Sequence, residues 1–171
     1  MQNDDTPLGS EIIGAIKAAG VRHVAALPDI VTSAGILRPL ARDPDIRLIR
    51  LCKEDEGVSI CAALSYCGKR AVLLMQQTGL MDSLNAIRAV GMDYGLPICM
   101  VVGLLGKEPG RPAAESANYG VRIIEPVLDA MGIDRFGIET SSDVAGLAPA
   151  IDRAYAESRP VVALIGRRIE R

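Results

Sequence analysis

Three consecutive carboxylates, Glu54, Asp55 and Glu56, stand at the head of a segment of small residues that includes Gly57, Ser59, Ala62 and Ala63. A second polar cluster follows at Gln76-Gln77-Thr78-Gly79, continued by Asp82, Ser83 and Asn85. A carboxyl group in a partly desolvated crevice can exchange a proton near neutral pH, and amides, hydroxyls and free backbone N–H groups can hold a heterocycle or a carboxylate beside it. Each cluster also has a simpler explanation. Carboxylates at a helix start answer its free N–H groups and the positive end of its dipole, and Asp82 or Ser83 would cap a helix. These explanations leave over the small residues, which let another chain or a flat ligand approach closely, and the two consecutive Gln, which a cap does not need.

Other chemistry is scarce. There is no G-x-x-x-x-G-K-[ST] and no G-x-G-x-x-G after the first predicted strand, where Leu27-Pro28-Asp29 stands, so a self-sufficient nucleotide site is not expected. The single His, His23, lacks a Cys or second His at ligand spacing, and no metal site is expected on this chain. Cys52, Cys61, Cys67 and Cys99 show no C-x-x-C and fall in apolar segments, which reads as reduced, core-packed thiols. A formal charge of −2, with no basic run beyond Arg167-Arg168, gives no footprint for nucleic acid. The acidic start Met-Gln-Asn-Asp-Asp-Thr-Pro is unlike a signal peptide, and the longest apolar run, Leu96 to Leu105, is roughly half a membrane span. A cytoplasmic chain with no membrane partner is expected.

The elements that must position these clusters follow from the apolar pattern. Apolar residues make up 49% of 171, with one Phe and no Trp, so the core is Ala, Val, Leu and Ile, which suits parallel strands covered on both faces. Ser10 is the expected cap of a helix through Ile12, Ile13 and Ile16 to Gly20. A strand His23 to Leu27 ends at Pro28, a helix from Thr32 or Ser33 runs through Leu40, and Asp43-Pro44 breaks it before a strand at 46–51. Helices are then predicted at 54–67, 82–90, 119–131 and 143–157, strands at 71–75, 98–102, 135–139 and 160–165, and an irregular stretch at 103–117. The expected fold is α/β: a single doubly wound, mainly parallel six-stranded sheet with helices on both faces. Residues 1–8 read as a flexible N-terminal tail and 9–171 as the domain. Such sheets bind ligands beyond the C-terminal strand ends, where both polar clusters fall.

The combination of Lys-Glu-Asp-Glu-Gly-Val at 53–58, the Ala-rich helix to Gly68-Lys69, Leu-Met-Gln-Gln-Thr-Gly-Leu at 74–80 and Ser-Leu-Asn-Ala-Ile at 83–87 resembles the pyrimidine-binding domain of thiamine-diphosphate decarboxylases. It is most similar to the sulfopyruvate decarboxylase α subunit and the matching half of phosphonopyruvate decarboxylase. Leu27-Pro28 and Tyr94, Leu96 and Pro97 extend the resemblance over nearly the whole chain. What it implies is a catalytic Glu54 contacting N1′ of the cofactor's aminopyrimidine, so that proton exchange there lets the 4′-amino group activate C2 of the thiazolium for attack on a 2-oxo acid. It further implies that Gln76, Gln77, Thr78, Gly79 and Pro28 join Glu54 around the cofactor, with Asp29, Gln76 and Gln77 near the substrate.

The chain departs from that pattern in ways that bear on substrate and partner. Met81 and Asp82 replace a Gly-Asn, and Leu104-Leu105-Gly106 stands where related chains carry Arg-Gly, so a cation for a sulfonate or phosphonate would have to come from Arg111, Lys107 or Arg122. The Gly-Asp-Gly of the diphosphate-binding half is absent. The resemblance therefore implies thiamine diphosphate held jointly with a separate diphosphate-binding β subunit, which supplies Mg²⁺, and self-association of α chains in an assembly of at least two α and two β. A small anionic 2-oxo acid would lose CO₂ to give an aldehyde. A carboligase subunit of the acetolactate-synthase kind and a non-catalytic α/β binding module are the alternatives.

Overall fold

Six short strands, mainly apolar along the four inner ones and mixed with charged residues along the two edge ones, pair all in parallel in the order β2-β1-β3-β4-β6-β5. The structure is a computed structural model and describes residues 5–169. The strands are β1 (His23–Ala26), β2 (Arg47–Arg50), β3 (Ala71–Gln76), β4 (Cys99–Gly103), β5 (Asp134–Ile138) and β6 (Val161–Ile165). The helices are α1 (Gly9–Ala18), α2 (Arg38–Leu40), α3 (Glu54–Tyr66), α4 (Gln77–Asp82), α5 (Leu84–Ala86), α6 (Tyr119–Arg122), α7 (Ile124–Ala130) and α8 (Leu147–Glu157). Wide π-type turns lead into α2 at Ser33–Leu37 and follow α5 at Ile87–Asp93.

Strand alternation sorts the core into two layers. Val24, Val72, Leu74, Val101 and Ala163 pack with Ile12 and Ile16 of α1, Ile36 and Leu40 around α2, and Ile151 of α8. Ala25, Leu73, Met75, Met100 and Val162 pack on the other face with Val58 and Cys61 of α3, Leu80 of α4 and Val121, Ile124 and Leu128 of α6 and α7. This is the expected doubly wound sheet. Because the chain moves outward to β2 and then back across β1 to β3, the order reverses at β1/β3, and a crevice opens there beyond the strand ends.

Several local expectations give way to specific side chains. Leu8, not Ser10, is the N-cap of α1, because the Glu11 carboxylate accepts the Leu8 N–H at 2.9 Å. The helix expected at 119–131 divides at Ile123, since Pro126 has no N–H to return to Arg122. The one expected at 143–157 begins as a 3₁₀ segment, Ser141–Gly146, where Asp143 accepts the N–H groups of Glu139 and Thr140, which hold its carboxyl below the usual range. Of the four cysteines only Cys61 and Cys99 are core-packed, and burial pushes both thiols up to about 12. Cys52 and Cys67 are exposed, one in the turn before α3 and the other at its C-cap. Of the stretch 1–8, residues 1–4 lie outside the described residues, while Ser141 donates to the carbonyls of Asp5 and Thr6 and Pro7 is buried. No helix among the described residues is long and apolar enough to cross a membrane.

Candidate functional site

The three carboxylates before Gly57 have three different surroundings. Glu56 turns back and accepts the N–H groups of Cys52 and Lys53, at 3.1 and 3.3 Å, closing the start of α3. Asp55 meets Lys53 Nζ at 3.4 Å, and the same ammonium reaches Asp82 at 3.1 Å. These two carboxylates hold Lys53 charged, its side-chain hydrogen bond to Asp82 being the stronger influence. Glu54 alone has no hydrogen bond or ion pair among the described residues, and it is half-buried. Its side chain lies against the backbone of α4: a Cβ placed on Gly79 would stand 2.2 Å from Glu54 Cγ and 2.4 Å from Oε1. Gly79 is thus the absence of a side chain that makes room for this carboxyl.

The polar cluster after β3 is not a loop. Gln76 is the last strand residue and the N-cap of α4, so Gln77, Thr78 and Gly79 are helical and the start expected at Asp82 lies five residues late. Ser83 explains the misreading. Buried and donating its hydroxyl to the Gly79 carbonyl at 2.7 Å, it closes α4 instead of opening a helix.

The two glutamines separate completely. Gln77 is 3% exposed and clasps the backbone of Leu105 with both ends of its amide, donating to the carbonyl at 2.9 Å and accepting the N–H at 2.8 Å. It ties the end of β3 to the loop after β4 and has one amide N–H left to offer. Gln76 donates to Thr78 Oγ1 at 3.0 Å and faces a cleft of about 470 Å³ that Pro28, Asp29, Ser33, Arg38 and Arg168 also line. Asp29, expected near substrate, spends its carboxylate on its own loop. It accepts the N–H groups of Val31 and Thr32, at 2.6 and 2.8 Å, and a short bond from the Thr32 hydroxyl.

The structure therefore brings Glu54 and Gly79 together on the α3–α4 side of the strand ends, and Pro28, Asp29 and Gln76 together on the α2 side. Thr78 is exposed between them. Arg38 and Arg168 were not among the candidate residues. Arg38 was indistinguishable from any solvated helix residue, and Arg167-Arg168 was notable only as a short basic pair.

No family model matches the chain. It is 34% identical over 92 residues to the sulfopyruvate decarboxylase subunit alpha of Methanococcus maripaludis, covering 54% of each chain. The chain is similar to the sulfopyruvate decarboxylase α subunits. The subunit alpha of Methanothermobacter thermautotrophicus is 30% identical over 97 residues, 57% of this chain and 58% of its own, so the match spans little more than half of these two relatives. The sulfopyruvate decarboxylase subunit alpha of Methanocaldococcus jannaschii matches more of the length at lower identity, 26% over 154 residues, 90% of this chain and 89% of its own. Among solved structures, the 2-oxoglutarate:ferredoxin oxidoreductase from Magnetococcus marinus superposes with a TM-score of 0.67 at 14% identity, over 96% of this chain and 30% of that one, which bears on the fold.

Proposed function

We propose that this chain is the pyrimidine-binding subunit of a thiamine-diphosphate-dependent 2-oxo acid decarboxylase, acting on a sulfopyruvate- or phosphonopyruvate-like substrate. The observation that carries the reading is Glu54: a half-buried carboxyl, unpartnered among the described residues, in a slot kept open by Gly79. A carboxyl group with no internal partner at a strand-end crevice is suited to share a proton with a ring nitrogen of a ligand. When bound, thiamine diphosphate supplies the carbanion-stabilising centre that lets a 2-oxo acid lose CO₂. Glu54 would hold and return the proton at the pyrimidine edge, Gly79 would leave room for that carboxyl, and Pro28 and Gln76 would flank the ring.

The residues present suit the pyrimidine end of the cofactor and not its diphosphate, for which the sequence has neither a phosphate cradle nor Gly-Asp-Gly. A separate diphosphate-binding β subunit holding Mg²⁺ accordingly belongs to the proposal, as do association of at least two α with two β chains and a cytoplasmic location. The relatives' designation as alpha subunits supports a partner.

Replacing Glu54 by Gln in the assembled enzyme tests the reading. Turnover is expected to fall about 10²- to 10⁴-fold, with subunit assembly and thermal stability unchanged. Full turnover in the variant would leave a non-catalytic module as the better description, and a hydroxyketone in place of free aldehyde would identify a carboligase.

A further inference from the structure

We propose that Arg38 and Arg168 form the subsite for the second, non-reacting anionic group of the substrate, a tetrahedral sulfonate or phosphonate; this rests on the reading of the chain as a 2-oxo acid decarboxylase subunit. Both guanidinium-bearing residues line the cleft at the β1/β3 reversal. Neither guanidinium has a hydrogen bond or ion pair among the described residues, whereas Lys17, Lys53, Arg70, Arg88, Lys107, Arg135 and Arg153 all have carboxylate partners; Arg42, Arg47, Arg50, Lys69 and Arg167 also lack a side-chain partner there, but none of them lines this cleft. In a chain with 21 acidic and 19 basic residues, two cations left unpaired in one concavity are not a by-product of excess positive charge.

Their positions are set by the fold. Arg38 opens α2 directly after the π-type turn that Ser33 begins. Arg168 precedes Ile169, which is fully buried and donates its N–H to the Val31 carbonyl at 2.9 Å, pinning the segment after β6 over the loop after β1. Arg168 is thereby carried across the sheet to the mouth of β1. The one carboxylate lining the cleft, Asp29, is consumed by Val31 and Thr32, leaving two guanidinium groups against one engaged carboxylate. Strand alternation points Gln76, like Val72 and Leu74, to this α2 side, and its amide keeps an N–H beyond the one given to Thr78. Two planar forks and an amide N–H provide the donors that a tetrahedral oxyanion accepts.

The three cations that could have replaced the missing Arg of the β4 loop are occupied. Lys107 is buried and paired with Glu139 at 2.5 Å, Arg111 lies 3.8 Å from Glu108, and Arg122 donates to the Ser116 carbonyl at 2.7 Å with its guanidinium over the Tyr119 ring.

Titration of the full chain with methanesulfonate and methylphosphonate, followed by the NMR signals of the Gln76 amide and the arginine Nε groups, tests the subsite directly. Arg38→Ala and Arg168→Ala are each expected to weaken binding about tenfold or more, and Arg38→Lys to recover part of the loss. Arg47→Ala, the same charge change at the N-terminal end of β2, is expected to leave binding at the wild-type value. Failure of the wild-type chain to bind either probe saturably, or equal weakening by Arg47→Ala, overturns the inference. In the assembled enzyme the two cleft variants should raise KM for 3-sulfopyruvate and not for pyruvate; equal effects on both substrates also overturn it. Glu54→Gln separates the two readings, since it should lower turnover about 10²- to 10⁴-fold without changing methanesulfonate binding. Anion binding that survives with no decarboxylase activity in any assembly would refute the enzymatic reading and leave the anion site standing.

Discussion

The end of β3 feeds two unlike regions. On the α3–α4 side Glu54 and Gly79 meet in contact so close that a single methyl group would not fit. On the α2 side Gln76, Arg38 and Arg168 surround open space. One residue step along the chain, from Gln76 to Gln77, crosses from the open region to the packed one, and the same side chain passes from a pocket-lining group to a structural clasp. Residue type at a strand end therefore says little about role until the direction of the side chain and the partners of its polar atoms are known.

Substitutions can sharpen this contrast. The largest stability effect is expected from Gln77→Leu, which leaves the Leu105 N–H and carbonyl without their partner and should cost about 2–3 kcal/mol in denaturant unfolding. Gln76→Leu should change stability by only about 0.5 kcal/mol or less; equal effects at the two positions would dissolve the distinction. Gly79→Ala should cost about 1–3 kcal/mol through overlap with Glu54. In a Glu54→Ala background the sign should reverse to a gain of about 0.5–1 kcal/mol, because the clash is gone and Ala is the better helix residue. An unchanged cost in that background would mean that Gly79 is needed for some reason other than the carboxyl.

A smaller effect concerns the loop behind Gln77. Glu108 accepts from the Ser116 hydroxyl at 2.7 Å and the Ala117 N–H at 2.9 Å, bonds that hold its carboxyl down at about 2. A depressed carboxylate contributes in full above its ordinary value near 4.5 and loses that contribution as pH falls toward 2. The Ser116 and Ala117 amide resonances should titrate with a midpoint near 2, and Glu108→Gln should abolish that titration.

Much of this was legible in the sequence, for physical reasons that can be named. The four inner strands were visible as short apolar runs, because a sheet covered on both faces asks only for apolarity, whereas the edge strands β2 and β5 carry charged residues and are only partly buried. Glu54 stood out among three carboxylates through its resemblance to a known cofactor domain, while the duties of Asp55 and Glu56 are local and appear only with their partners. The helical start at Gln77 was hidden by Ser83, whose hydroxyl serves equally well as a cap or as a back-bonding group inside a helix. Arg168 was beyond reach because its place in the cleft depends on β6 lying between β4 and β5, a neighbourhood that no local pattern encodes.

That strand order has a kinetic consequence. β5 pairs with β6 alone, and β6 also supplies the outer neighbour of β4, so β5 joins the sheet only through a strand that follows it in the chain. Non-local pairings of this kind are slow to nucleate because loop closure must precede any gain from contact. Until β6 docks, β4 is a bare edge and β5 an unpaired segment, both open to pairing with another chain. Mutations that weaken β6 should thus be felt first as aggregation during refolding, before any loss appears in the finished protein.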